Sequence, residues 1–392
     1  MPGLLAAAGV GGVGLGMWAL WEWAMQEGIR RARRAEEEGL KRCAGPRDFS
    51  VTVLVCVRDG EQVLPELLEG LRAQVPGPEE VLVVDDGSRD GTPQLLAAAQ
   101  ASWGRHAEGG ERLRVLRLED TRPGKKDAFA AGVEAARGEV IVATDADCVP
   151  AGPGWVEAMA AGLGGADPVW EVRLGVSLPT SGGSGWRAQW ALADALRIAR
   201  TYVAAAGWGR AYMGVGRNLA FRKACFPGWE GHGDLASGDD DLLVQTWQRL
   251  PIRFVASLHP AAQAPTRVPA TGRAWGRSKR RHLTTGPRYP RRVVAALAWP
   301  VVSVGAITAA GAASWALAPA WFMHIGVWIV GAAGAAMVAV QGANFRTFAA
   351  CCGLTGRQRF AGVWVPLTQL GLVGLTSVAM WDSLRGARRQ DW

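Results

Sequence analysis

EVIVATDAD, residues Glu139 to Asp147, is the stretch that decides the fold. Val140 to Val142 form an apolar, β-branched run of the kind found in buried strands, and Asp145 and Asp147 follow two residues apart. In extended backbone both carboxylates point to the same side. Upstream, VTVLVCV (51–57), EEVLVVDDGS (79–88) and RLRVLRL (112–118) read as further strands. The helical stretches EQVLPELLEGLRAQ, TPQLLAAAQ and KKDAFAAGVEAARG alternate with them. Continuous apolar strands separated by helices specify an α/β domain, a mostly parallel sheet covered by helices on both faces, over residues 47–260. Ligands of such sheets bind beyond the carboxyl ends of the strands, and Asp85, Asp86, Asp145 and Asp147 all fall at such ends. Beyond Pro150 the pattern loosens, and WRAQWALADALRIARTYVAAA reads as a helix suited either to a core or to a membrane interface.

The chain has 392 residues, 49% of them hydrophobic, and a net charge of +8. No charged residue occurs from Met1 to Trp21, from Val293 to Phe345, or from Phe360 to Trp381. About 20 such residues suffice for one membrane span, so the middle run has room for two. Residues 1–28 read as a retained anchor rather than a cleaved leader, because no basic residue precedes the apolar run while Arg30, Arg31, Arg33 and Arg34 follow it. That bias puts the 47–260 domain on the cytoplasmic side of a multi-pass inner-membrane protein. Residues 261–292 read as basic interfacial helices and 293–384 as a C-terminal membrane region, two spans plus a third span or re-entrant segment. The basic clusters flank the apolar runs, which suits anionic lipid headgroups and argues against nucleic acid. The paired spans hold only His324 as an ionisable group, which disfavours a channel or transporter. Six cysteines without a C-x-x-C pair give no zinc or disulfide signature.

Three acidic motifs carry the chemistry. From Asp86 onward, DDGSRDGT (85–92) begins like a calcium loop, but the twelfth position of that loop is Ala97 where a glutamate is needed, leaving an Asx-rich turn as the plain alternative. The D-x-D of Asp145 and Asp147 offers hard oxygens suited to Mg²⁺ or Mn²⁺ together with phosphate. SGDDDLLVQ places Asp239, Asp240 and Asp241 before an apolar run, as at a helix N-terminus. Crowded like charges raise a carboxylate pKa, which suits a general base; solvated surface charge is the plain alternative.

In order, strand-DD, G-K-K, strand-D-x-D, G-x-G-R-N, G-D-D-D-L-L, a basic segment and paired spans resemble the family 2 glycosyltransferases of GT-A fold, in their integral-membrane branch, from Val51 to Tyr289. The resemblance implies that Arg58, Asp59 and Glu61, in RDGE where the family usually has an asparagine-glutamate pair, meet the nucleobase. It implies that Asp85 and Asp86 contact uracil or ribose, and that Lys125 or Lys126 lies near the nucleotide. Asp145 and Asp147 would hold the metal, Asp147 directly. Gly214 to Lys223, with Arg217 and Asn218, would lie beneath the donor sugar. Asp240 would be the base, flanked by Asp239 and Asp241, in one displacement that inverts the anomeric carbon. Ser278, Arg281 and His282 stand where membrane relatives have Q-x-x-R-W; Arg281 would meet the diphosphate, with His282 beside it. The implied function is metal-dependent transfer from a nucleotide sugar, a UDP-sugar being the expected donor, to a lipid acceptor. A glycan acceptor with processive synthesis, or an inactive membrane scaffold, are the alternatives.

Overall fold

The structure is a computed structural model; it describes residues 2–42, 47–104, 111–119, 121–122, 124–164, 170–179, 185–229, 235, 237–268, 271–283, 285–319, 326–355 and 358. Four parallel strands, β1 (Val51–Val57), β2 (Glu80–Asp86), β3 (Leu113–Leu118) and β4 (Val140–Asp145), form one half of a seven-stranded sheet. The other half is β5 (Trp170–Gly175), β6 (Leu219–Arg222) and β7 (Ile252–Ser257), in the order β3-β2-β1-β4-β6-β5-β7. Only β6 runs against its neighbours, and β5 pairs parallel with β7. The sheet is thus the expected mostly parallel one.

The period of two along each strand divides the core. Val51, Val53, Val55, Val81, Val83, Val140 and Val142 face one side with α2 (Leu64–Arg72) and α5 (Trp155–Ala160). Leu54, Leu82, Val84, Ile141 and Ala143 face the other with α4 (Lys126–Ala135) and α6 (Trp186–Gly207). Helix α2 shows how local pattern serves this plan: Pro65 sits in its first turn, and Leu64, Leu67, Leu68 and Leu71 repeat at helical spacing and are all buried. Each such leucine contributes roughly 1.5–3 kcal/mol. Helix α6 resolves the ambiguity of its sequence, since Leu192, Leu196, Tyr202 and Val203 are core while Trp186 is exposed. Helix α3 (Thr92–Trp103) completes the parallel half.

One helix, α1 (Pro2–Arg42), carries both the uncharged N-terminal stretch and the arginines after it, continuing unbroken past residue 28. Its first half lies along α9 (Arg291–Leu317), with Trp299 Nε1 donating to Met17 O at 2.8 Å. A Cβ added at Gly14 would sit 2.9 Å from Ser303 O, so the small residue sets this approach. The second half packs on α6 and adds Met25, Ile29 and Ala32 to the core. There the contact is closer still, because a Cβ on Gly28 would lie 2.4 Å from Ala204 O. Helices α1, α9 and α10 (Val327–Cys351) are each long and apolar enough to cross a membrane. The apolar run 360–381 and the arginines after it lie outside the described residues.

A buried ion pair joins three of these helices. Glu22 of α1 accepts from Arg200 of α6 at 2.6 and 3.2 Å and from Asn344 of α10 at 2.7 Å. Both charged side chains are at most 5% exposed. Removing one partner strands the other charge, so Arg200→Leu is expected to destabilise the folded protein by about 3–5 kcal/mol. Replacing both by Leu and Met should recover most of that loss, as read by thermal unfolding in detergent. A single variant as stable as the parent would contradict the account.

Candidate functional site

The order β2-β1-β4 makes the gap between β1 and β4 the point where the chain switches direction across the sheet, and there Cys56 pairs with Asp145. A cavity of about 500 Å³ opens at these carboxyl ends. Arg58 and Asp59 rim it from β1, Asp86 from β2, Lys125 from α4, Asp145 and Asp147 from β4, and Arg217 from the turn before β6. Asp239 and Asp240 close it from the start of α7 (Asp241–Trp247). A smaller cavity of about 210 Å³ lies near the opposite ends of β1 and β4, beside Asp48 and Glu139, away from these motifs.

Each doubled residue in the sequence divides its work. Asp86 faces the cavity, where Thr121 Oγ1 donates to it at 2.6 Å and Arg58 Nη2 lies 2.9 Å away. Asp85 points away: it is buried, pairs with Arg117 at 3.0 Å and accepts the Ser88 N–H at 2.9 Å, closing the turn after β2. Neighbouring strand residues face opposite ways, so only one of the two can line the cavity. Lys125 reaches inward, whereas Lys126 donates to Leu235 O at 2.9 Å from a buried position. Arg217 rims the cavity with Nε donating to Ser177 Oγ at 2.8 Å. Asn218 does not: it is fully buried, bonding Val176 O, Ala262 O and Trp155 Nε1. Glu61 accepts the Gly91 N–H at 3.0 Å and so fastens the DDGSRDGT loop rather than lining the cavity. Asp59 adopts φ 53°, rare for a residue with a side chain, and is held there by Ser88 Oγ and the Arg89 N–H.

Across the floor, Lys125 Nζ lies 2.5 Å from Asp145 and 3.2 Å from Asp239, tying the D-x-D to the aspartate triplet. Burial works against the Lys125 charge, but the two carboxylates outweigh it and hold the ammonium well above the ordinary lysine range. Asp240 caps α7: its Oδ1 accepts the Asp241 N–H at 2.8 Å and its Oδ2 accepts the Gly216 N–H at 3.3 Å. A Cβ on Gly216 would meet Asp239 and Lys125 at 3.3 Å, which explains a glycine in GVGRN. Burial, then the charges of Asp239 and Asp241, push the Asp240 carboxyl up to about 7. Asp241 is turned from the cavity and accepts from Thr285 Oγ1 and Tyr289 OH, each at 2.6 Å. Burial pushes the Cys56 thiol up to about 12, so it is protonated at neutral pH and unsuited to act as a nucleophile.

Residues 52–180 match the model of the glycosyl transferase family 2. These residues belong to that family. The domain is 35% identical over 100 residues to an undecaprenyl-phosphate 4-deoxy-4-formamido-L-arabinose transferase of Pseudomonas fluorescens, a match spanning 25% of this chain and 27% of that protein. An Aeromonas hydrophila protein of the same name is likewise 35% identical over 100 residues, covering 25% of this chain and 28% of its own. Among solved structures, a mannosyltransferase from Pyrobaculum calidifontis in complex with GDP-Man and Mn²⁺ is 19% identical with a TM-score of 0.49, covering 89% of this chain and 98% of that one.

The glycosyltransferase domain offers oxygen donors for a divalent ion at Asp145 and Asp147. Asp147 is exposed; it accepts from Thr266 Oγ1 at a long 3.4 Å and from the weakly donating Cys148 thiol at 3.5 Å. One or two carboxylates at a cavity mouth, with room for phosphate and water, fit Mg²⁺ or Mn²⁺. No cluster of three or more protein ligands occurs among the described residues. Helix α8 (Gly272–Leu283) contains Arg281 and His282, whose side chains lie outside the described ones. The helix is docked on α6, with Lys279 paired to the buried Asp194 and Trp275 edge-on to Trp190 at 6.2 Å. Thr121, Thr285 and Tyr289 carry no motif, and sequence spacing alone did not single them out.

Proposed function

We propose that the protein is a membrane-bound inverting glycosyltransferase that moves a sugar from a nucleotide-sugar donor to a lipid acceptor at the cytoplasmic face of the inner membrane. The observation that carries this reading is the placement of Asp240, a carboxylate fixed at the start of α7 that lines the same cavity as the D-x-D. The names of the curated relatives, which specify undecaprenyl-phosphate, support a lipid-phosphate acceptor. The three apolar helices beside the domain support the membrane location.

In this reading Arg58, Asp59 and Asp86 bind the nucleoside end of the donor, and Arg217 lies under its sugar. Asp145 and Asp147 would hold Mg²⁺ or Mn²⁺, which would supply positive charge to neutralise the departing diphosphate. Lys125 adds a fixed positive charge on the same side. Asp240 takes the proton from the acceptor oxygen as that oxygen attacks the anomeric carbon, and the carbon inverts. Asp239 keeps the floor negatively charged and Lys125 in place.

A base that titrates at about 7 sets the pH dependence. Only the deprotonated carboxylate accepts a proton, so the turnover rate at saturating donor is expected to rise about tenfold per pH unit below 7 and level off above it. A flat profile from pH 5.5 to 8 would remove Asp240 from the role. The function itself is tested with radiolabelled nucleotide sugars, purified protein, Mn²⁺ and total bacterial membrane lipid. Label in an organic-extractable product is expected. Label in a solvent-insoluble, high-mass product would instead indicate a polymer synthase, and no turnover of any donor would indicate a scaffold.

A further inference from the structure

Asp241 faces away from the cavity yet is buried, and both donors to its Oδ2 come from the short segment that leads into α9. Thr285 is buried as well, and Tyr289 packs edge-on against the buried Tyr212 at 6.3 Å. Only Pro290 separates Tyr289 from Arg291, the first residue of α9. On its other side Asp241 accepts the Leu242 N–H through Oδ1 at 2.8 Å, and its own N–H is the group that Asp240 caps. A Cβ on Gly238 would sit 3.1 Å from the Thr285 methyl, so the same segment also presses on the turn that precedes the aspartates.

We infer that Tyr289 and Thr285 are positioning residues: their hydroxyls clamp Asp241, and through it the first turn of α7 that aims Asp240, to the start of the apolar helix α9. The inference rests on the reading of Asp240 as the base. Hydrogen bonds to a charged acceptor are stronger than neutral ones and fix direction as well as distance. Two of them on one carboxylate oxygen, from residues 44 and 48 positions away, tie the aspartate turn to the beginning of a membrane-length helix. The aim of the base thereby depends on where α9 sits.

Tyr289→Phe and Thr285→Val each remove one hydroxyl with little change of shape, and Thr285→Ser keeps it. The test uses the full chain in lipid nanodiscs, with donor affinity, steady-state transfer and amide hydrogen exchange of the peptide 237–247 measured on each variant. Tyr289→Phe and Thr285→Val are each expected to lower kcat about tenfold while donor KM and Kd stay within twofold, with Thr285→Ser near the parent. Exchange over 237–247 is expected to quicken severalfold in the first two variants. A purely structural role would lower donor affinity and thermal stability together and leave kcat per folded molecule unchanged, which would overturn the inference. If the parent chain transfers no sugar, the proposed function fails on its own account. The clamp is then judged by exchange, and unchanged exchange in Tyr289→Phe overturns it.

Discussion

Asp240→Asn is expected to reduce sugar transfer by about 10²–10⁴-fold while the donor still binds and the folded protein gains stability. The loss follows from removing the only proton acceptor proposed at the attacking oxygen. The gain follows from the environment of the carboxylate. Burial and the neighbouring Asp239 and Asp241 raise its pKa from 3.8 to about 7, so the folded state disfavours the ionised form. The penalty is absent below pH 3.8, grows as pH rises between 3.8 and about 7, and is complete above that. Asparagine matches the neutral acid in size and its one amide oxygen can keep the cap on the Asp241 N–H, giving up only the long 3.3 Å contact from Gly216, so it escapes most of the penalty. At pH 8 the variant should be more stable by on the order of a few kcal/mol, and near pH 4 the two proteins should melt together. Thermal unfolding at both pH values measures this, and a variant less stable at pH 8 would refute the electrostatic picture. A site kept at the expense of stability is what a functional carboxylate looks like.

Asp147→Asn carries the second large effect. Loss of groups that merely support a metal ligand costs 10–100-fold in affinity, so losing a direct ligand is expected to weaken Mn²⁺-dependent donor binding by about 100-fold or more. Without divalent metal, parent and variant should bind the nucleotide sugar equally weakly. Isothermal titration of the donor with and without Mn²⁺ separates the two cases. Equal affinities for parent and variant in saturating Mn²⁺ would mean that Asp147 is not a metal ligand. Asp145 would respond differently, because its Oδ1 is engaged by Lys125 and its removal also loosens the link to Asp239.

The parallel half of the sheet was legible because β1, β2 and β4 are continuous apolar runs, two of them ending in aspartates at the side where ligands bind. The other half was not. Strand β5 is WEVRLG, and its Glu171 and Arg173 are both buried, with Arg253 of β7 paired to Glu171. Charges neutralised by a partner strand read as surface in a single sequence. Strand β6 is only four residues long, too short for any period to register. The candidate site was legible as a set of motifs but not as a set of directions. Asp85 and Asp86, or Lys125 and Lys126, are indistinguishable as letters, and only the pleat and the helix start decide which one enters the cavity. Asn218 and Glu61 stand within family-like motifs, yet their hydrogen bonds hold loops and core. Tyr289 could not be found at all, since its partner Asp241 is 48 positions away.

The most direct test of the account is the anomeric configuration of the product, read by NMR coupling constants on sugar transferred to lipid by the purified protein. One displacement with Asp240 as base gives the configuration opposite to that of the donor. Retained configuration would require a nucleophile and a second step that this cavity is not proposed to supply, and would contradict the account.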